Sequence, residues 1–178
     1  MRVIAGRFRS RRLKSVPGLR VRPTPDRLRE ALFNVLAPRI EGVLFLDAFA
    51  GSGAVGIEAL SRGAQHVILI DRNAQALMII RENLRTLGIE EEVTVTRGSA
   101  SVLIPKYQPD IVFIDPPYDQ TNDYAASLAA VSGTRCTLAI AQHPSQLTLD
   151  ESYGALSKTR VLPQGDNSLT FYERSSGH

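Results

Sequence analysis

The 178-residue sequence predicts an α/β fold, on three observations. Apolar runs of strand length at residues 43–46, 67–70 and 111–114 each lead into an aspartate, Asp47, Asp71 and Asp115. The first run is followed by a glycine-rich turn, Asp47-Ala48-Phe49-Ala50-Gly51-Ser52-Gly53, and then by a helical segment at 54–62 ending near Gly63. The third run stops at Asp115-Pro116-Pro117-Tyr118, where two prolines without amide donors force the chain out of any sheet.

The remaining elements follow in chain order. Arg7, Arg9, Arg11, Arg12, Lys14, Arg20 and Arg22 alternate with Ile4, Phe8, Leu13, Val16, Leu19 and Val21, the pattern of a β-hairpin turned at Pro17-Gly18. Thr24 as N-cap and Pro25 at the first helical position open a helix that places Leu28, Leu32 and Val35 or Leu36 on one face. Arg27, Glu30 and Asn34 fall on another side. A second long helix at 73–87 carries Leu77, Ile80, Leu84 and Leu87 in one stripe and ends at Gly88. Strands follow at 93–96 and 138–141, and segments 157–162 and 168–172 form an antiparallel pair.

Residues 1–36 hold ten Lys or Arg against two acids, a net +8 in a chain whose total is +3, so the other 142 residues carry −5. A positive charge gathered into one fifth of the chain suits a polyanion, gripped through its phosphates and released as salt rises. The 43% hydrophobic content is enough for one domain's core, and no run reaches the length of a membrane span. Cys136 stands alone and the histidines are His66, His143 and His178, which leaves no disulfide and no evident metal cluster, and a reducing cytoplasm as the expected home.

The turn at 115–118 carries the chemistry. An amine conjugated to a base ring is a poor nucleophile because its lone pair is delocalised. Hydrogen bonds from both of its protons, to the Asp115 carboxylate and the Pro116 carbonyl, favour the localised lone pair that attacks. Tyr118 then offers a ring for a base that has left its stack. The plain alternative is a strand-ending Asp-Pro turn with a surface tyrosine.

Gly51, Gly53 and Gly56 spell GxGxxG and Asp71 follows Gly51 by twenty residues, as in a dinucleotide fingerprint. Glycines and a helix N-terminus present backbone donors to a nucleoside ligand, and Asp71 suits ribose hydroxyls. Asp47 favours the second of two cofactor classes: a carboxylate there repels a pyrophosphate but suits the cationic amino-acid end of S-adenosylmethionine, directly or through water, the alternative for Asp47 being a loop-ordering hydrogen bond.

Leu46 through Ala64, together with Arg22-Pro23-Thr24-Pro25-Asp26-Arg27 and Asp115-Pro116-Pro117-Tyr118, resemble the RsmD-type 16S ribosomal RNA guanine-N2 methyltransferases. The resemblance covers nearly the whole chain. It implies a Rossmann-like, seven-stranded, mostly parallel sheet with one reversed strand, S-adenosylmethionine as methyl donor, and a guanine of 16S ribosomal RNA in the small subunit as acceptor. Motif matching puts Asp47, Phe49, Ala50, Gly51, Ser52 and Gly53 in the donor loop, Asp71 and Arg72 at the ribose, and Ser99 and Ala100 beside the adenine. Asp115, Pro116, Pro117 and Tyr118 form the catalytic turn. Ser99 departs from the Asp or Asn common in related methyltransferases. The organisation expected is a basic RNA-binding appendage at 1–36, including Arg27, and a methyltransferase domain at 37–178, acting as a monomer without metal or membrane. Three other readings stay open: a DNA adenine-N6 or cytosine-N4 methyltransferase, a nicotinamide oxidoreductase, and a non-catalytic ribosome-assembly factor.

Overall fold

The structure, a computed structural model, describes residues 1–17 and 25–175. Helix α1 spans Asp26–Leu36 and is followed by β1 (Leu44–Asp47), α2 (Ala54–Ser61), β2 (His66–Asp71), α3 (Ala74–Leu87), β3 (Val93–Arg97) and α4 (Ala100–Tyr107). Then come β4 (Ile111–Ile114), α5 (Asn122–Ser132), β5 (Leu138–Pro144), β6 (Ser152–Tyr153), β7 (Leu156–Gln164) and β8 (Asn167–Arg174).

The strands form one sheet in the order β3-β2-β1-β4-β5-β8-β7-β6. β1 to β5 are mutually parallel, β8 is antiparallel to β5, and β7 is antiparallel to β8. The seven long strands thus contain one reversal, as the resemblance implied. Among the described residues the sheet has eight strands rather than seven, because the two-residue β6 pairs antiparallel to the outer edge of β7. The order reverses between β1 and β4, where the connections leave for opposite sides and open a crevice at the carboxyl ends of the strands.

Two apolar layers enclose the sheet. On one face Phe45, Val67, Leu69, Phe113 and Ile140 pack with residues of α1, α2 and α3; on the other Leu46, Ile68, Ile70, Val112, Ile114 and Ala139 pack with residues of α4 and α5. β1, β2 and β4 are nearly continuous apolar runs because both faces are covered. Gly56 in α2 is a contact point: a Cβ there would lie 2.4 Å from Leu69 Cδ2 and 2.8 Å from Val67 Cγ1, so glycine lets α2 settle onto β2.

The amino-terminal segment differs from its predicted hairpin. Arg2 and Arg12 form a single antiparallel bridge and the chain turns through residues 5–10. The expected turn at Pro17-Gly18, and Leu19, Arg20, Val21, Arg22, Pro23 and Thr24, lie wholly or partly outside the described residues. Pro25 serves as the N-cap of α1 rather than its first residue, and no side chain among the described residues caps that helix. The segment is held by polar contacts to α2 and α3. Buried Glu58 accepts from the backbone amides of Ile4 (2.8 Å) and Ala5 (3.1 Å), and Ser61 Oγ accepts from Phe8 N at 2.9 Å while donating to Ala5 O at 2.7 Å. No helix among the described residues is long and apolar enough to cross a membrane.

Candidate active site

Parallel register brings the three aspartates to one edge. Asp47 pairs with Leu69 of β2 and Phe113 of β4, so Asp71 and Asp115 each lie two residues past an Asp47 partner on flanking strands. Asp71, Asp47 and Asp115 therefore stand on consecutive strands at the carboxyl end of the sheet.

The loop after β1 is shaped by two of these carboxylates. Asp47 Oδ1 accepts from Phe49 N at 3.2 Å, and Asp71 Oδ2 accepts from Gly51 N at 2.8 Å while its Oδ1 accepts from Asn73 N at 2.8 Å. Ala50 N donates to Ile70 O at 2.8 Å and Gly53, at φ 86°, caps α2 in the left-handed region that favours glycine. Ser52 O accepts from Asn83 Nδ2 at 3.0 Å, and the same amide bonds Lys14 in both directions, accepting from its N–H at 2.8 Å and donating to its carbonyl at 3.0 Å. Buried Asn83 thus ties the amino-terminal segment to the glycine loop, a link between residues 69 apart that no local pattern could reveal.

Asp47 is buried, at 1% exposure, and burial raises its carboxyl well above the usual range, with Asp115 and Asp71 adding repulsion. Asp115 is half-buried and burial pushes it up to about 7. Among the described residues no cation pairs with Asp47, Asp71 or Asp115, and such a group of carboxylates is a poor seat for a pyrophosphate and a good one for a cation. Tyr118 is 83% exposed directly beyond the turn, with its ring uncovered. Tyr124 in α5 lies near enough to Asp115 to feel its charge, and its hydroxyl donates to Gln142 O at 2.6 Å.

Next to Asp71 lie the residues expected at the ribose and adenine. Arg72 Nη2 donates to Ser99 Oγ at 3.1 Å, and Ser99 precedes α4, whose first residue is buried Ala100. Across from them Asp123 in the first turn of α5 holds Arg72 at 4.0 Å, and its buried Oδ2 has no partner among the described residues. Asp123, Tyr124, Asn83 and Gln142 are site-edge residues that motif reading missed, since each acts through long-range placement.

The basic residues divide by contact. Arg9 and Arg12 are exposed, as is Arg11, which also donates to Thr86 O at 3.2 Å. Arg7 makes a two-pronged pair with Glu92, at 2.8 and 3.0 Å, and Lys14 pairs with Glu82. Arg27 is exposed at the start of α1. Arg20 and Arg22 lie outside the described residues.

The topology and the loop-and-turn geometry at its edge define a Rossmann-like protein of the class I methyltransferase type. The chain belongs to the family described as "Conserved hypothetical protein 95", whose model matches residues 1–173, the RsmD-type methyltransferases. Among curated relatives, "Putative rRNA methyltransferase YlbH" of Bacillus subtilis is 35% identical over 98% of this chain and 99% of its own length. "Ribosomal RNA small subunit methyltransferase D" of Escherichia coli is 44% identical over 66% of this chain and 60% of that enzyme. The solved structure "Putative methyltransferase yhhF from Escherichia coli" superposes with a TM-score of 0.82 at 33% identity, covering 99% of both chains.

Proposed function

We propose that this protein transfers a methyl group from S-adenosylmethionine to the exocyclic N2 amine of a guanine in 16S ribosomal RNA. The observation that carries this reading is the placement of Asp71, Asp47 and Asp115 on three consecutive strand ends, with the Pro-Pro-Tyr turn attached to the third. The names of the relatives, an rRNA methyltransferase and a small-subunit RNA methyltransferase, support the substrate class. The residues fit the donor. Buried Asp47, which no cation among the described residues pairs, suits its cationic amino-acid end, Asp71 its ribose hydroxyls, and the Ser99–Ala100 turn its adenine.

The bound donor supplies a methyl group on a sulfonium, which leaves without acid assistance. The chain's task is alignment and charge, which dominate such transfers. Asp115 and the Pro116 carbonyl accept the two amine protons and localise the nitrogen lone pair. As that lone pair forms the new C–N bond, the carboxylate balances the positive charge growing on nitrogen and takes one of its protons. Pro117 keeps the turn rigid, and Tyr118 stacks on the base. Exposed Arg9, Arg11, Arg12 and Arg27, with Arg20 and Arg22, hold RNA phosphates. Residues 1–36 thus serve as the RNA-binding appendage of a monomeric cytoplasmic enzyme whose methyltransferase domain is 37–178.

The test is labelled S-adenosylmethionine offered with small-subunit ribosomal RNA, with small subunits, and with DNA of matched length. Label in RNA or subunits and none in DNA is expected. Label in DNA alone would replace this reading with a DNA amine methyltransferase.

A further inference from the structure

We propose that Gln142 is the residue that reads the acceptor base, accepting from guanine N1–H and donating to guanine O6, an inference that rests on the guanine-N2 reading above. β4 stops at Ile114, whose register partner is Ala141, while β5 runs on to Pro144. Gln142 is consequently the lateral neighbour of Asp115, one strand away. It lies two residues beyond Ile140, on the face that Ile140 shares with Phe113 and with Leu169, its own partner on β8.

Gln142 is only 7% exposed, yet its Oε1 is buried with no hydrogen-bond partner among the described residues. A buried amide oxygen left unpaired is costly to the fold, and such a group at the margin of a site asks for a ligand donor. Its backbone is fixed: Gln142 O accepts from the Tyr124 hydroxyl at 2.6 Å, and its strand is laddered to β8. The side chain therefore projects from a rigid element, as a reading group must.

The chemistry matches one base. Neighbouring strands are about 4.8 Å apart, close to the width of a purine's pairing edge. With the amine seated between Asp115 and the Pro116 carbonyl, a strand-spaced carboxamide faces the two groups that follow it. In guanine these are a donor, N1–H, and an acceptor, O6, and the amide answers both at once. In adenine the amine is followed by an acceptor nitrogen and then a C–H, and in cytosine by an acceptor nitrogen and then an acceptor oxygen. Neither satisfies both ends of the amide. Asp115 and the Pro116 carbonyl take any exocyclic amine; Gln142 supplies the choice among them.

The test compares wild type with Gln142→Leu and Gln142→Met, two apolar replacements of similar size. Each acts on small-subunit RNA and on the same RNA transcribed with 2-aminopurine in place of guanine. 2-Aminopurine keeps the amine but lacks N1–H and O6. Melting and binding of S-adenosylhomocysteine verify that each variant is folded with its donor site intact. Wild type is expected to prefer guanine by about 10- to 100-fold in kcat/KM. The variant that remains folded is expected to lose that much on guanine and nothing on 2-aminopurine. A folded variant that keeps wild-type kcat/KM on guanine, or the full preference over 2-aminopurine, would overturn the role of Gln142 while leaving the guanine-N2 reading in place. Nucleoside analysis of the wild-type product separates the two failures: a methylated base other than N2-methylguanosine overturns the underlying reading and this one with it.

Discussion

Replacing Asp115 with asparagine removes the charge at the catalytic turn while keeping its shape, and the structure sets the expected consequences in both activity and stability. Burial moves the Asp115 carboxyl from its ordinary 3.8 to about 7. The proposed role requires the carboxylate, so kcat/KM in wild type should rise with pH along a limb of apparent pKa near 7, about tenfold lower at pH 6 than on the plateau. The linkage to stability has the opposite sense from most carboxylates. Between about pH 4 and 7 the native state keeps a proton that the unfolded chain has released, so stability falls as pH rises through that window and levels off above it. The shift corresponds to at most about 4 kcal/mol. Asp115→Asn should therefore lose the pH limb and most of its rate, while melting several degrees above wild type at pH 8 and about level with it at pH 4. Methyl transfer profiles and thermal melts at those pH values check both halves. A variant with full turnover and intact donor binding, or one that melts lower than wild type at pH 8, would refute the assignment of Asp115 as a strained, charged acceptor.

Four further outcomes are expected. Tyr118→Ala should cost about 1–3 kcal/mol in kcat/KM through lost base stacking, whereas Tyr118→Phe should be mild; a large defect in the phenylalanine variant would show that the hydroxyl matters. Arg9→Ala, Arg11→Ala and Arg12→Ala combined should weaken RNA binding and reduce the slope of log K against log salt by about 2–3, measured by titration at several salt concentrations. Asn83→Ala should lower stability by about 1–3 kcal/mol in denaturant melts and also raise the Kd for S-adenosylmethionine, since that side chain joins Lys14 to the Ser52 carbonyl. Gly56→Ala should cost about 1–3 kcal/mol in the same melts, because its Cβ would press on Leu69.

The parts legible in sequence are those governed by local rules. Apolar runs, glycine turns and the Asp-Pro-Pro-Tyr stop located β1, β2 and β4 to within a residue or two, because a buried parallel strand has one composition and an abrupt end. α3 was equally plain, with Asn73 capping through Ala76 N and Gly88 closing at φ 69°. α4 and α5 escaped notice for physical reasons. α4 starts among small polar residues and carries Pro105, while α5 is built largely of Ala and Ser, so its buried Tyr124, Ser127, Leu128 and Val131 do not read as an apolar stripe. The two-residue β6 exists only as a partner to β7. In the site, motif spacing named Asp47, Asp71 and Asp115 but not their common edge, which follows from parallel register. Asn83, Asp123 and Gln142 were silent, since what marks each is a partner, or the lack of one, far along the chain. The amino-terminal alternation misled for a related reason. Val3, Ser10 and Leu13 do donate across an antiparallel pairing, but it turns at residues 5–10, because the amides of Ile4, Ala5 and Phe8 go to Glu58 and Ser61 of α2.

Transfer of a methyl group to a guanine amine is read out by nucleoside analysis after tritium transfer. Small ribosomal subunits from a strain lacking its own enzyme would be incubated with the protein and labelled S-adenosylmethionine, with Asp115→Asn in parallel. Label confined to N2-methylguanosine, and nearly absent with the variant, is expected. Label in any other nucleoside, or equal label with Asp115→Asn, would contradict the guanine-N2 reading.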